Sequence, residues 1–438
     1  METRVTSRTL ESPVGARPIQ LIVLALCMLI NVLDGYDLQA AGFTSTSIMA
    51  EWDVAPAVMG LAIFSSGLLG VGLGSLLLAP AADRYGRRPT ILLGLVMITV
   101  GMLAVWVTAT PAQLSGLRFL TGLGIGTLLP TLNTLVAEYT PIAWQSLTVS
   151  IYATGYPIGA ALSGIVAPSL IEHIGWRAVY VGGGSVSLIL ALAVLALLPE
   201  SLEFLLKIQP RGALERARVI AAHLQIAPPE TLPPPPATVR SSPLTPFQRG
   251  LATRTALIGA AFFLLWVTEF FIVNWTPAIL NREGFTLASS ALGGVMLTLG
   301  GMAGTLLVGA FGVRFGLVRV CVVYLTAGFL MTLVFAFTSH PSAILPICAI
   351  LGFLLYGSAV GLYAVVARIF PLEVRVTGTG VALAAGRAGA VVGLSLGGVL
   401  MGLGWNRSTY VTVLALPVVA AILATHALRP FVLQPDRS

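Results

Sequence analysis

The sequence predicts an all-α membrane protein with twelve transmembrane helices arranged as two bundles of six. Three observations predict this fold class. First, 56% of the 438 residues are hydrophobic and only 9% are charged, whereas a soluble domain carries about 25% charged residues. Second, the chain contains twelve apolar runs of about 20 residues, the length that crosses a bilayer as a helix. Third, a segment of the first half recurs weakly in the second half.

Six apolar runs precede a long polar segment and six follow it. Charges, glycines and prolines mark the breaks between them. The predicted spans are roughly 20–44, 56–80, 89–109, 113–137, 145–170, 176–198, 254–280, 287–311, 317–337, 343–369, 377–402 and 407–428.

These spans divide the chain into five parts. A tail (1–19) precedes the first bundle (20–198), and a linker (199–253) separates it from the second bundle (254–428) and a final tail (429–438). The linker contains proline runs that cannot be helical, so it leaves no room for a soluble catalytic domain. We therefore do not expect an enzyme.

Basic residues predict the orientation of the chain. With both termini in the cytoplasm, 19 of the 24 lysines and arginines lie on the cytoplasmic side and only Arg177, Arg282 and Arg407 lie outside. This asymmetry follows the positive-inside rule. It explains the net charge of +7 without nucleic acid. Only Arg118 and Arg387 remain unexplained by topology.

No residue pattern indicates a cofactor. The three cysteines lie in apolar runs without CxxC spacing, so we expect free thiols and no metal. Gly122-Leu-Gly124-Ile-Gly126 lies within an apolar span, where glycines indicate helix packing and not a phosphate-binding loop. Protons are the expected coupling ion.

The repeated segment relates the two halves. Gly74–Arg88 reads GSLLLAPAADRYGRR, and Gly304–Val318 reads GTLLVGAFGVRFGLV. Both copies follow the second span of their half. Two parallel repeats of six helices predict a transporter with its site near the membrane midplane, between the bundles.

Two carboxylates interrupt the first span. Asp34 and Asp37 are three residues apart and share one helical face. Each charge at membrane depth costs several kcal/mol, about 2.5–3.5 on insertion scales. Burial and the neighbouring like charge favour the neutral form of one carboxyl. This suits a proton site, and Gly35 between them is expected to let the helix unwind locally. The alternative is a static ion pair between helices.

The seventh span carries a third buried acid, Glu269. It is interpreted as a protonatable group, a specificity element or a partner of Arg387; a packing hydrogen bond is the alternative. Carboxylates are the expected proton carriers because the histidines fall in loops or in the last span, at positions His173, His223, His340 and His426.

Several motifs resemble those of the major facilitator superfamily. Gly74–Arg88 is similar to its loop signature, Arg118–Gly124 to its fourth-helix motif and Pro199–Ser201 to the end of its sixth helix. Asp34–Gly42 resembles the first-helix signature of its aromatic acid:proton symporters. Further segments resemble that family, namely Asn274–Pro277, Arg375–Gly380 and Gly386-Arg387.

The resemblance implies roles for the buried polar groups. Asp34 and Asp37 would both be needed for transport, and Arg118 would be the counter-ion of an aspartate or bind the substrate carboxylate. Arg387 would bind that carboxylate, unless it extends toward the cytoplasmic interface. The seventh and tenth spans would face the cavity and contribute Asn274, Trp275, Tyr356 and Tyr363, although Trp and Tyr are also common at membrane interfaces.

Charged residues on the predicted cytoplasmic side suggest a gate. They would hold the bundles together in the outward-facing state, or serve only as a topology signal. The residues of this gate are Asp83, Arg84, Arg87, Arg88, Glu138 and Arg375. The loop 139–145 contains no arginine to pair with Glu138, although relatives often place one there.

The sequence therefore predicts a proton-coupled importer of a small aromatic carboxylate that works by alternating access. It would be a multi-pass monomer in the lipid bilayer of a bacterial cytoplasmic membrane. One alternative is a proton-driven exporter of drugs or organic acids. The motif Gly155-Tyr-Pro157-Ile-Gly159 matches the antiporter signature only in part, which weakens this alternative without excluding it. The other is a non-transporting membrane sensor.

Overall fold

The computed structural model describes residues 17–224, 228–229, 231–232, 251–338, 340–370 and 372–432. Within them, twelve helices are long and apolar enough to cross a membrane. The predicted all-α fold of twelve spans is confirmed. The chain is helical because its apolar runs must satisfy every backbone group internally when no water is available.

The first bundle contains α1 to α6. Their bounds are α1 Pro18–Trp52, α2 Pro56–Tyr85, α3 Arg87–Val107, α4 Pro111–Tyr139, α5 Ile142–Ala153 with Gly155–His173, and α6 Arg177–Leu197. Two short linker helices follow, Leu202–Ile208 and Ala213–His223.

The second bundle contains α7 to α12. Their bounds are α7 Ala252–Arg282, α8 Leu287–Phe315, α9 Leu317–Phe337, α10 Pro341–Ile369, α11 Leu372–Gly402 and α12 Arg407–Ala427. Within the bundles, α1 packs on α5, α2 on α4, α7 on α11 and α8 on α10.

Helix α1 is continuous through its two aspartates. Gly35 does not unwind it, contrary to expectation. A Cβ at Gly35 would lie 1.9 Å from the carbonyl oxygen of Tyr156, and a Cβ at Gly159 would lie 1.7 Å from that of Val32. The glycines therefore let α1 and α5 touch backbone to backbone.

The two bundles meet on the side away from the linker. The side-chain amide of Gln39 on α1 donates to the carbonyl oxygen of Val273 on α7, at 3.2 Å. The hydroxyls of Ser65 and Ser395 are 2.9 Å apart, which joins α2 to α11. A Cβ at Gly60 would lie only 2.4 Å from the Leu394 carbonyl oxygen. This outer half is closed.

A cavity of about 590 Å³ lies between the bundles on the linker side. It extends along α8 and α10 to Leu306, which is 59% exposed, and Tyr363, which is 40% exposed. With the linker on the cytoplasmic side, as the basic residues predict, this arrangement is inward-facing.

Candidate functional site

Asp37 and Arg118 form an ion pair inside the first bundle. Nη1 of Arg118 on α4 lies 2.6 Å from Oδ1 of Asp37 on α1, and both side chains are almost completely buried. The Arg118 guanidinium also lies 5.8 Å from the ring centroid of Tyr180. The pair is only partly satisfied, because Oδ2 of Asp37 and Nε of Arg118 have no hydrogen-bond partner among the described residues.

Asp34 lies one helical turn earlier, in a different environment. It is 3% exposed and lines the large cavity. Its Oδ1 has no hydrogen-bond partner in the described part of the chain. Arg387 attracts it electrostatically and Asp37 repels it. Of these two aspartates, Asp37 is therefore paired with an arginine and Asp34 lies at the cavity wall.

Arg387 lines the same cavity from α11. Within the described ranges, no carboxylate lies within 4.0 Å of its guanidinium, which is what an ion pair would require. Its electrostatic neighbours are Tyr363, Asp34 and Tyr156. An arginine without a close counter-ion inside a membrane cavity is suited to bind a ligand carboxylate in a bidentate manner.

Aromatic side chains form one wall of the cavity. Trp266 and Phe270 of α7 line the cavity with their ring centroids 5.4 Å apart, and the fully buried Phe262 packs behind Trp266 at 5.6 Å. Tyr363 of α10 meets Phe262 edge-on at 5.2 Å. Such a wall gives a planar ring apolar contact and favourable edge-to-face partners.

Glu269 enters the cavity from the same helix. Its side chain is 5% exposed, and its Oε2 has no hydrogen-bond partner among the residues that the structure describes. The preceding residue, Thr268, points elsewhere and donates a hydrogen bond to the Leu414 carbonyl oxygen at 2.6 Å. The cavity thus has acids at Asp34 and Glu269 and a cation at Arg387.

The four predicted ring-binding residues separate into two groups. Tyr356 and Tyr363 line the large cavity. Asn274 donates to the Phe270 carbonyl oxygen at 3.0 Å and lines a small adjoining cavity of about 20 Å³, together with Arg118.

Trp275 lies in the closed outer half. Its indole donates to the Leu394 carbonyl oxygen at 3.1 Å and its ring meets Phe64 edge-on at 5.0 Å. It is fully buried and lines neither of these two cavities. In this conformation Trp275 packs the bundles together.

The predicted gate residues contact the first bundle. Arg87 lies 2.9 Å from Asp83 and 3.1 Å from Glu138, which therefore has a partner despite the loop without arginine. The backbone N–H groups of Arg87 and Arg88 donate to Glu200. The Arg84 guanidinium lies 5.3 Å from the ring centroid of the adjacent Tyr85.

The side chain of Arg375 lies outside the described residues, so its part in the predicted gate stays a prediction.

Among the cavity residues that were not predicted, three are aromatic: Tyr156, Trp266 and Phe270. Tyr156 lies within the glycine-proline segment of α5, and it interacts electrostatically with Asp34, Glu269 and Arg387. Trp266 lies about one turn before Glu269, and Phe270 directly follows it. The presence of a buried acid at Glu269 was the available signal that this face of α7 lines a cavity.

No metal centre is evident in the described parts of the chain, where no three His, Cys, Asp or Glu side chains cluster. Cys27, Cys321 and Cys348 are buried free thiols. The polar groups of the cavity are instead suited to a carboxylate ligand and to protons.

Two parallel six-helix bundles around a charged cavity define a secondary transporter of the major facilitator type. The sequence profile of the Major Facilitator Superfamily matches residues 27–365. The fold is also similar to that of the xylose transporter XylE from E. coli in its inward-open conformation. The TM-score is 0.73, with 16% identity over 96% of this chain and 98% of that one.

Within this superfamily, the chain belongs to the aromatic acid transporters. It is 32% identical to the 4-hydroxybenzoate transporter PcaK of Pseudomonas aeruginosa, over 94% of this chain and 92% of that protein. It is 31% identical to the gallate transporter of Pseudomonas putida, over 94% and 93%. The predicted family is confirmed. The family and these relatives are transporters and not enzymes.

Proposed function

We propose that this protein imports a small aromatic carboxylate together with protons. The observation that carries the proposal is the Arg387 guanidinium, which has no close counter-ion among the described residues and lies in a cavity with an aromatic wall. The named substrates of the relatives, 4-hydroxybenzoate and gallate, are aromatic acids. They support the same class of substrate for this chain.

Substrate binding uses the two kinds of surface in the cavity. The carboxylate pairs with Arg387, which holds both oxygens in a planar fork. The ring packs against Trp266 and Phe270 and displaces water from the wall. Tyr156 and Tyr363 lie near Arg387 and orient the complex through their hydroxyls.

Proton coupling uses Asp37 and Arg118. While Asp37 is ionised, it holds Arg118 at 2.6 Å inside the first bundle. Protonation removes the charge attraction, so Arg118 can turn toward the small cavity that it already lines. Asp34 provides a second carboxyl on the wall of the large cavity, where it attracts Arg387 and so opposes substrate binding until it is protonated.

Alternating access links the two events. The outer contacts between α1 and α7 and between α2 and α11 open when the bundles rock, and the linker side closes. Entry of an anion and a proton together leaves the net charge of the cavity unchanged, whereas entry of either alone changes it by one unit. The loaded protein therefore crosses between its two states more easily than the half-loaded one.

Uptake by purified protein in proteoliposomes tests this function. A labelled benzoate should accumulate when the outside is made acidic, and a protonophore should abolish the accumulation. Glu172→Gln, which changes an exposed carboxylate at the end of α5, serves as a control for surface charge. Transport that ignores the proton gradient would contradict coupling, and net efflux under the same gradient would favour the exporter.

A further inference from the structure

Glu269 is a buried acid that the coupling mechanism does not use. Its carboxylate reaches the cavity wall, and Oε2 has no hydrogen-bond partner in the described chain. A carboxylate buried without a donor is unfavourable. A ligand that brings a donor to this position would satisfy it.

The packing of α7 on α11 gives the level of Glu269 relative to Arg387. A Cβ at Gly389 would lie 2.1 Å from the Phe263 carbonyl oxygen, and a Cβ at Gly393 would lie 2.0 Å from that of Val267. Four residues along α11 thus correspond to four residues along α7. The two helices run in the same direction with a constant register.

In this register Arg387 is level with residue 261 of α7, eight residues before Glu269. At 1.5 Å per residue, the two positions are about 12 Å apart along the helix axes. Side chains on both helices point toward the N-terminal end, so both are displaced in the same direction. Glu269 therefore stays farther along the axis than Arg387. Consistent with it, no ion pair joins Glu269 to Arg387 among the described side chains.

The space between the two charges is lined for a ring. Trp266 lies within this interval of α7, Phe270 lies one residue beyond Glu269, and Tyr156 acts electrostatically on both Glu269 and Arg387. The two charged groups thus lie at different levels of one cavity with an aromatic wall. A benzene ring that carries a carboxylate and, in the para position, a hydroxyl or amino group presents a polar group at each end, as this arrangement requires.

We propose that Glu269 accepts a hydrogen bond from a hydroxyl or amino group on the substrate ring, at the end away from the carboxylate bound by Arg387. Glu269 is then the residue that selects acids with a ring donor over acids without one. This inference rests on the proposed function, because it requires the carboxylate to be held at Arg387.

Binding of four para-substituted benzoates tests the inference. The hydroxy and amino acids carry a donor, whereas the methyl and methoxy acids have similar shapes and carry none. The purified wild-type protein should bind the two donors about tenfold or more tightly than the other two, as expected for a hydrogen bond to a charged acceptor. Isothermal titration or tryptophan fluorescence measures the affinities.

Two substitutions assign the preference to this residue. Glu269→Met removes the acceptor and should bring the ratio of hydroxy to methyl affinity close to one, while the methyl acid still binds within about twofold of wild type. Glu269→Gln keeps an acceptor oxygen without charge and should retain an intermediate ratio. Thr268→Ser changes the neighbouring residue, which points at Leu414, and should keep the full wild-type ratio.

Three outcomes would overturn the inference. The first is equal affinity of the wild-type protein for the methoxy and hydroxy acids. The second is an equal loss of affinity for all four ligands in both Glu269 variants. The third applies if Glu269→Met does not fold, and it is a wild-type ratio of hydroxy to methyl affinity in Glu269→Gln. Proton-driven uptake of the methyl acid distinguishes the two proposals. If the methyl acid is taken up, the proposed function stands even when the ring-donor preference fails. If none of the four acids is taken up, both proposals are contradicted.

Discussion

Asp34 and Asp37 show how one helical turn can separate two chemically identical residues. Three residues along a helix turn the side-chain direction by about 60°, which is enough to aim one carboxylate at α4 and the other at the cavity. Asp37 is fixed by Arg118 at 2.6 Å, and Asp34 keeps an oxygen without a partner in the described chain. In the proposed mechanism their charges therefore respond to different events: the state of Arg118 and the arrival of a ligand at Arg387.

Replacing Arg387 by lysine tests the substrate end of the site. Lysine keeps the charge but loses the planar fork that binds both carboxylate oxygens. We expect the dissociation constant of benzoate to rise about tenfold, or ~1.4 kcal/mol. Titration of the purified variant measures it. Arg319→Lys, at an exposed position at the start of α9, should leave the affinity unchanged. Unchanged affinity in Arg387→Lys would move the carboxylate to Arg118.

At the scale of the element, α1 is the helix on which the site depends. It carries both aspartates, packs on α5 through Gly35 and Gly159, and reaches α7 through Gln39. Close backbone contact leaves α1 little freedom to shift against α5. The two aspartates are thus held on a rigid element, and we expect them to move with the first bundle as a unit.

The close contact of α1 with α5 predicts the effect of Gly35→Ala. The added methyl group would meet the Tyr156 carbonyl at 1.9 Å, so the two helices must separate. We expect a loss of about 1–3 kcal/mol, as for other overpacked cores. A lower midpoint of thermal unfolding in detergent would report it. Gly116→Ala, where nothing lies within 4 Å of the new Cβ, is the control and should unfold as wild type. Equal midpoints for both variants would contradict this packing.

Hydropathy predicted the number of spans better than their limits. The first span was expected to end near 44, yet α1 continues to Trp52. Thr44 and Ser45 are polar, but their hydroxyls donate to the carbonyl oxygens of Ala40 and Gly42 on the preceding turn. Such local hydrogen bonds allow polar residues to extend a buried helix, and hydropathy alone does not detect them.

The composition of the site was easier to predict than its arrangement. Charges at membrane depth identified Asp34, Arg118, Glu269 and Arg387, because each is costly unless it is used or paired. An aromatic side chain can be buried in the membrane facing either the cavity or a neighbouring helix, so its presence in the sequence does not indicate which way it points. Trp275 and Trp266 look alike in sequence, yet the first packs the outer interface and the second lines the cavity. Their different positions follow from the way α7 packs against its neighbours, which the sequence alone does not give.

At the scale of the whole molecule, the closed outer half and the large cavity on the linker side describe one end of a transport cycle. The outer interface depends on close approach of α2 to α11 at Gly60, beside the hydrogen bond between Ser65 and Ser395. Opening it breaks few polar contacts among the described residues. The two bundles can therefore exchange one interface for another without losing many hydrogen bonds.

Gly60→Val should prevent closure of the outer side. A Cβ at this position would lie 2.4 Å from the Leu394 carbonyl oxygen, whereas a Cβ at Gly72 on the same helix has open space. We expect Gly60→Val to lose most uptake but to bind substrate, and Gly72→Val to transport as wild type. A cysteine placed at Ser395 should react faster with an impermeant maleimide in the Gly60→Val background than in the wild-type background, because the outer interface around it stays open. The native cysteines are buried and should add little labelling. Equal labelling in both backgrounds would contradict the closed outer interface.

The most direct test of the account compares proton-driven uptake with exchange in Asp37→Asn. Asparagine keeps the shape but cannot take up a proton or carry the charge that holds Arg118 at 2.6 Å. The account predicts that an imposed proton gradient no longer drives accumulation of labelled benzoate in proteoliposomes. Exchange of labelled for unlabelled substrate should persist, and Glu172→Gln should retain both activities. Normal gradient-driven accumulation by Asp37→Asn would contradict the proposal that this ion pair couples protons to transport.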